Sequence, residues 1–221
     1  MVCETEQEVN TLWEQLSPGG HVHMPLDAYD WSKRYGWVQD RFGISWQVYL
    51  GKMDEVGQMF TPSLLFVGPQ HGRAGEAINF YTSVFNDAAI AGIMRYEARG
   101  PDPEGTIAHA QFTLEGQTFM AMDSALDHDF IFNEAISFVV NCESQSEVDA
   151  FWDKLSEGGD EKAQQCGWLK DKFGVSWQVV PKALGELLSD PDPAKAQRVT
   201  KAMLQMKKID IAGLQQAYEM A

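Results

Sequence analysis

One stretch occurs twice, and it fixes most of what the chain can fold into. Gly36-Trp37-Val38-Gln39-Asp40-Arg41-Phe42-Gly43-Ile44-Ser45-Trp46-Gln47-Val48 returns as Gly167-Trp168-Leu169-Lys170-Asp171-Lys172-Phe173-Gly174-Val175-Ser176-Trp177-Gln178-Val179. The Gly, Trp, Asp, Phe, Gly and Ser-Trp-Gln-Val positions are identical. Each copy reads as strand, tight turn, strand: a Trp-led apolar run, a turn around Asp-x-Phe-Gly, then alternating β-branched and aromatic residues. The glycine after Phe suits a left-handed backbone position that other residues adopt only at a cost. Upstream, Cys3 to Leu16 matches Cys142 to Leu155. The first copy is longer between its two matching stretches, in a segment around His21 to Tyr35 read here as a loop. Each copy is then strand, helix, strands, and the chain is built by duplication.

The helices carry their own signals. Thr5 with Glu8 forms a capping-box pattern, Val9, Leu12, Trp13 and Leu16 follow at helical spacing, and Pro18-Gly19-Gly20 stops the run. Ser144 with Glu147, the stripe Val148, Phe151, Trp152 and Leu155, and Gly158-Gly159 repeat the pattern. At these positions Trp13 and Trp152 read as core residues. Between the copies lies a unit with its own sequence. It has a strand over 60–67, a helix marked by Ala77, Phe80, Tyr81, Val84 and Phe85, and strands over 91–98, 107–114 and 118–122. The last two are joined by a Glu115-Gly116 hairpin turn. Beyond Pro181 the pattern is helical, with Asp192-Pro193 as a start signal and Ala196, Val199, Met203 and Met206 as an apolar stripe.

Composition narrows the function. A formal net charge of −15 argues against nucleic acid, which demands clustered Lys and Arg. Six basic and five acidic residues from Lys182 onward place the acidity in the repeats. No run of eighteen apolar residues spans a membrane, and the start lacks the pattern of a signal peptide. Three cysteines, two at equivalent repeat positions, suit buried thiols in a reducing cytoplasm.

This arrangement resembles the vicinal-oxygen-chelate (glyoxalase/bleomycin-resistance) superfamily. Within it the chain resembles the PhnB-like branch, whose domain label is 3-demethylubiquinone-9 3-methyltransferase. The resemblance rests on Ala74 to Phe85, His109 to Asp123, Met24-Pro25-Leu26-Asp27 with Tyr35-Gly36-Trp37, both Phe-Gly-x-Ser-Trp-Gln-Val ends and Asp190-Pro191-Asp192-Pro193. It implies an α+β fold of βαβββ units paired into open, curved mixed sheets, here with a C-terminal helical tail. Residues 1–52 then read as a half-module, 60–181 as a complete module and 182–221 as the tail. The opening strand of the first unit is short at Met1-Val2-Cys3. Either the chain starts late in its gene, or the half-module completes its sheet against another chain. A homodimer through residues 1–52, and through the tail, follows from the second alternative.

Metal-dependent relatives place His or Glu at four inward positions. In this chain those fall near Pro62, Met122, the start of the Ile136 strand and Gln178, with Gln47 at the matching place in the first unit. Pro and Met offer no hard oxygen or imidazole, so neither a metal nor another cofactor is expected. His21 and His23 lie on one face of an extended segment, a geometry open to zinc, yet no third ligand is evident. His109, with Gln111 on the same strand face, is a candidate base, and Asp123 at a strand end a candidate acid or anchor. The resemblance places Gln178 and Ser176 in the cavity with Met120 and Met122. No Rossmann glycine loop, P-loop, nucleophile elbow or paired-cysteine motif is present. The expectation is a cytoplasmic protein binding a small organic molecule of unknown identity through His109, Gln111, Met120, Met122, Asp123, Ser176 and Gln178. The alternative is a non-metal lyase, isomerase or transferase using His109 or Asp123.

Overall fold

The computed structural model describes residues 1–220 and holds three sheets and a helical tail. The first unit runs β1 (Val2–Cys3), α1 (Glu6–Leu16), β2 (His21–Tyr29), β3 (Ser32–Gln39) and β4 (Ser45–Leu50), in sheet order β1-β4-β3-β2. Thr5 caps α1 with the full capping box, and Val9, Val48 and Cys3 form a small core beneath it. Trp13 lies flat on β3 at Gly36, where an added Cβ would sit 2.4 Å from a ring carbon. The segment read as a loop around His21 to Tyr35 is instead the β2–β3 hairpin.

After α2 (Met53–Val56) the second unit runs β5 (Ser63–Phe66), α3 (Ala74–Val84), β6 (Ala88–Arg95), β7 (Ile107–Leu114) and β8 (Gln117–Asp123), in order β5-β8-β7-β6. Glu115 and Gly116 both take positive φ, 48° and 77°, as the tight hairpin turn requires. The third unit, β9 (Ser137–Cys142), α4 (Gln145–Ser156), β10 (Trp168–Lys170) and β11 (Ser176–Pro181), forms the three-stranded sheet β10-β11-β9. It has no counterpart of β2, because its copy of the repeat is the shorter one.

The second and third units share one core. Phe66, Phe112 and Phe119 lie in it with Val140, Trp152 and Trp177. Helix α3 is common to both: Phe85 packs on Phe151 of α4 at 5.2 Å between ring centroids and on Trp177 of β11 at 5.7 Å. Trp13 and Trp152 are packing residues, as their spacing predicts. The tail, α5 (Lys182–Leu188), α6 (Pro193–Met203) and α7 (Ile211–Glu219), encloses Leu184, Val199, Ile209 and Leu214 and packs on Val180 of β11. Cys3 and Cys142 are buried free thiols, and burial pushes the Cys142 thiol up to about 11. Among the described residues no helix is long and apolar enough to cross a membrane.

Candidate functional site

Strand alternation divides the second sheet into a helix face and an open face. Ala110, Phe112 and Leu114 of β7 and Phe119 and Ala121 of β8 point into the core. His109 and Gln111 of β7, with Met120 and Met122 of β8, are half-buried on the opposite, inward face. Register sets them in rows across the sheet. Gln111 pairs with Met120, and Met120 with Ser63. One step along, Met94 pairs with His109 and Met122 with Leu65. A single imidazole and a single amide thus sit among thioethers and an aliphatic side chain.

Local chemistry keeps this face neutral. Burial holds the His109 imidazole below its usual pKa, so it is uncharged at neutral pH. Gln111 Nε2 donates to the Glu55 carbonyl at 3.2 Å, and Thr118 Oγ1 donates to the Val56 carbonyl at 3.1 Å. Helix α2 is thereby fastened across the end of the inward face. The first sheet adjoins at that side: Val2 N–H donates to the Met59 carbonyl at 3.1 Å, and Gln58 bonds Thr118 through both amide atoms. Its own inward face, opposite Val48, carries Tyr35, Trp37, Gln47 and Tyr49. Burial raises both phenols, with Tyr29 adding to the effect at Tyr35 and Cys3 and Glu55 at Tyr49.

Asp123, Ser176 and Gln178 are not part of these two rows. Asp123 follows Met122 and therefore points to the helix face. There its Oδ1 accepts from the Gly72 and Ala74 N–H groups at the start of α3, and its Oδ2 from Ile107 N–H at 2.9 Å. It is 1% exposed and anchors the helix to the sheet. Ser176 and Gln178 belong to the third sheet. The second and third sheets contribute to one core through their helix faces, and no strand of one pairs with a strand of the other among the described residues. Gln178 Nε2 donates to Ser137 Oγ at 2.9 Å, and the Ser176 hydroxyl is buried without a partner among the described residues.

A cluster that the sequence reading did not assemble joins the first sheet to the segment after β8. His23 packs on His21 (4.9 Å), Trp37 (4.7 Å) and Phe130 (6.2 Å), and His128 packs on Trp37 (5.8 Å) and Phe130 (5.1 Å). His128 Nε2 lies 2.9 Å from Ser124 Oγ. The contact of His23 with Trp37 depends on the β2–β3 hairpin, which sequence alone read as a loop. Among the described residues no group of three or more His, Cys, Asp or Glu is arranged to hold a metal ion. The superfamily metal positions do not fit one either. The Pro62 carbonyl is taken by Met120 N–H, Met122 offers a thioether, and Gln178 is bonded to Ser137. Depressions of about 180 and 420 Å³ beside α1 involve none of the candidate residues.

The family model described as 3-demethylubiquinone-9 3-methyltransferase matches residues 1–49 and 58–180. A solved structure from Bacillus cereus, titled a putative 3-demethylubiquinone-9 3-methyltransferase and PhnB protein, is 43% identical. The match covers 56% of this chain and 99% of that one at a TM-score of 0.50. A protein from Pseudomonas aeruginosa is 22% identical over 56% of this chain and 97% of its own, at a TM-score of 0.45. A fosfomycin resistance protein from Listeria monocytogenes is 14% identical over 58% of this chain and 96% of its own, at a TM-score of 0.37. No curated protein matches the chain.

Proposed function

Because the chain belongs to the 3-demethylubiquinone-9 3-methyltransferase family, PhnB-like and of glyoxalase/bleomycin-resistance fold, we propose that it binds a small organic molecule on the inward face of the second sheet. His109, Gln111, Met120 and Met122 make the contacts. The observation that carries this reading is the half-buried patch itself, two thioethers beside one imidazole and one tethered amide. Ligand sites are mostly apolar with a few placed polar groups, and methionine adapts its shape to what it meets. The protein works as a cytoplasmic homodimer with residues 1–52 at the interface. Support for that comes from Trp31, 66% exposed, and Phe42, 75% exposed, in that segment, and from the three free cysteines.

One observation favours catalysis as a second reading. His109 has no hydrogen-bond partner among the described residues, and its lowered pKa leaves it free to accept a proton at neutral pH. Asp123, spent on three N–H groups, supplies no acid. His109→Gln separates the two readings: a binder keeps affinity for its ligand, whereas an enzyme keeps affinity and loses turnover. Native mass spectrometry of the purified protein tests the proposal. A retained small-molecule mass that disappears in Met122→Lys is the expected result. A retained mass unaffected by Met122→Lys and His109→Leu would place the ligand elsewhere.

A further inference from the structure

Acidic residues dominate the chain, 32 Asp and Glu against 17 Lys and Arg, and simple electrostatics would make its ligand a cation. The inward face contradicts that. The two rows across the second sheet, Met94–His109–Met122–Leu65 and Gly92–Gln111–Met120–Ser63, contain no Asp, Glu, Lys or Arg. With 22% of the chain charged, eight neighbouring positions would ordinarily carry one or two. Two of the carboxylates flanking the face are already engaged. The Glu55 carboxylate is paired with Lys52 Nζ at 2.7 Å and presents only its backbone carbonyl to Gln111. Asp123 is saturated on the other side of the sheet. The adjoining inward positions of the first sheet, Tyr35, Trp37, Gln47 and Tyr49, are neutral, both phenols having raised pKa values.

We propose that this face selects a ligand whose contacting part is electrically neutral and carries a hydrogen-bonding group for His109 or Gln111, and that it rejects charged molecules of the same shape. The proposal rests on the binding reading above. A charged group moved from water onto this surface gives up hydration and meets no counter-charge. The field of the net charge does not compensate, because at physiological salt it is screened over about 8 Å and acts on the approach of a ligand rather than on its seat. A neutral amide or carbonyl meets an imidazole and a carboxamide that can donate or accept.

Benzamide, benzoate and benzamidine share one shape and differ in charge. Each is titrated at pH 7.5 and physiological salt into protein labelled with ¹³C at the methionine methyls, with Met120 and Met122 assigned through Met120→Leu and Met122→Leu. Benzamide should move both resonances, with benzoate and benzamidine at least tenfold weaker at the same methyls. Met122→Lys should improve benzoate at least tenfold over the unaltered protein, by supplying the missing counter-charge. Either charged compound binding at these methyls as tightly as benzamide would overturn the proposal and leave the binding reading standing. No movement of either methyl with any of the three would overturn the binding reading, and this proposal with it.

Discussion

The repeated motif spells out one side chain's hydrogen bonds. Asp171 Oδ1 accepts from the Phe173 and Val175 N–H groups, closing the turn, and its Oδ2 accepts from Trp177 Nε1 at 2.9 Å. Asp40 does the same with Phe42, Ile44 and Trp46. Asp, the positive-φ Gly and the Trp six residues after the Asp are therefore one device, which is why they recur together. Its setting differs between copies: Phe173 is fully buried and Phe42 is 75% exposed, and only Asp171 gains a fourth donor, Tyr81 Oη, at 2.7 Å. Removing Asp171 strands several buried donors, each costing about 1–3 kcal/mol. Asp171→Ala is expected to lower unfolding free energy in urea by about 3 kcal/mol or more, and Asp40→Ala by much less. Equal losses would show that burial of the device does not matter. The histidine cluster sets a pH dependence. Burial, then His21 and His128, hold the His23 pKa below its ordinary value. The folded state thus binds fewer protons than the unfolded chain, whose histidines titrate near about 6.5. The His23 contribution is complete above that pH and is lost as pH falls below it. Melting temperature should drop between pH 7.5 and 5.5, and the drop should shrink in His23→Phe; an unchanged slope would remove His23 as the cause.

At the scale of elements, periodicity made most of the fold legible. The stripes of α1 and α4, the caps at Thr5 and Ser144 and the β7–β8 hairpin stand where their patterns place them. Strand β2 was not legible, because Pro25 and repeated register shifts against β3 break its alternation. Alternation also separates Met122 from Asp123, since adjacent strand residues face opposite sides. The tail was readable from its spacing, and its core centres on Val199, which is fully buried. Val199→Asp puts an unpaired charge there and should cost about 3 kcal/mol or more, read as a fall in melting temperature. An unchanged melting temperature would mean that the tail does not pack as described. Gly36→Val should also destabilise, because its side chain would collide with the Trp13 ring.

At the scale of the whole molecule, local patterns carry no record of how the sheets meet. That the second and third sheets share one core depends on packing around α3, a set of long-range contacts with no local signature. The same holds for the junction of the first sheet with the second, which is made by the bond from Val2 to Met59, the bonds of Gln58 to Thr118 and the aromatic contacts of Phe130 and His128. In the proposed homodimer, deleting residues 1–52 should yield a monomer or an insoluble product. A soluble dimer of unchanged stability would move the interface elsewhere, for instance to β6, where Ile90, Ile93 and Met94 are exposed. The central claim is that the inward face of the second sheet receives the ligand, and the methionines report on it directly. Adding a neutral small-molecule extract of the source cells to ¹³C-methionine-labelled protein should shift the Met120 and Met122 methyls and leave Met203 and Met206, enclosed in the tail, unmoved. Shifts confined to other methionines, with Met120 and Met122 unchanged, would contradict it.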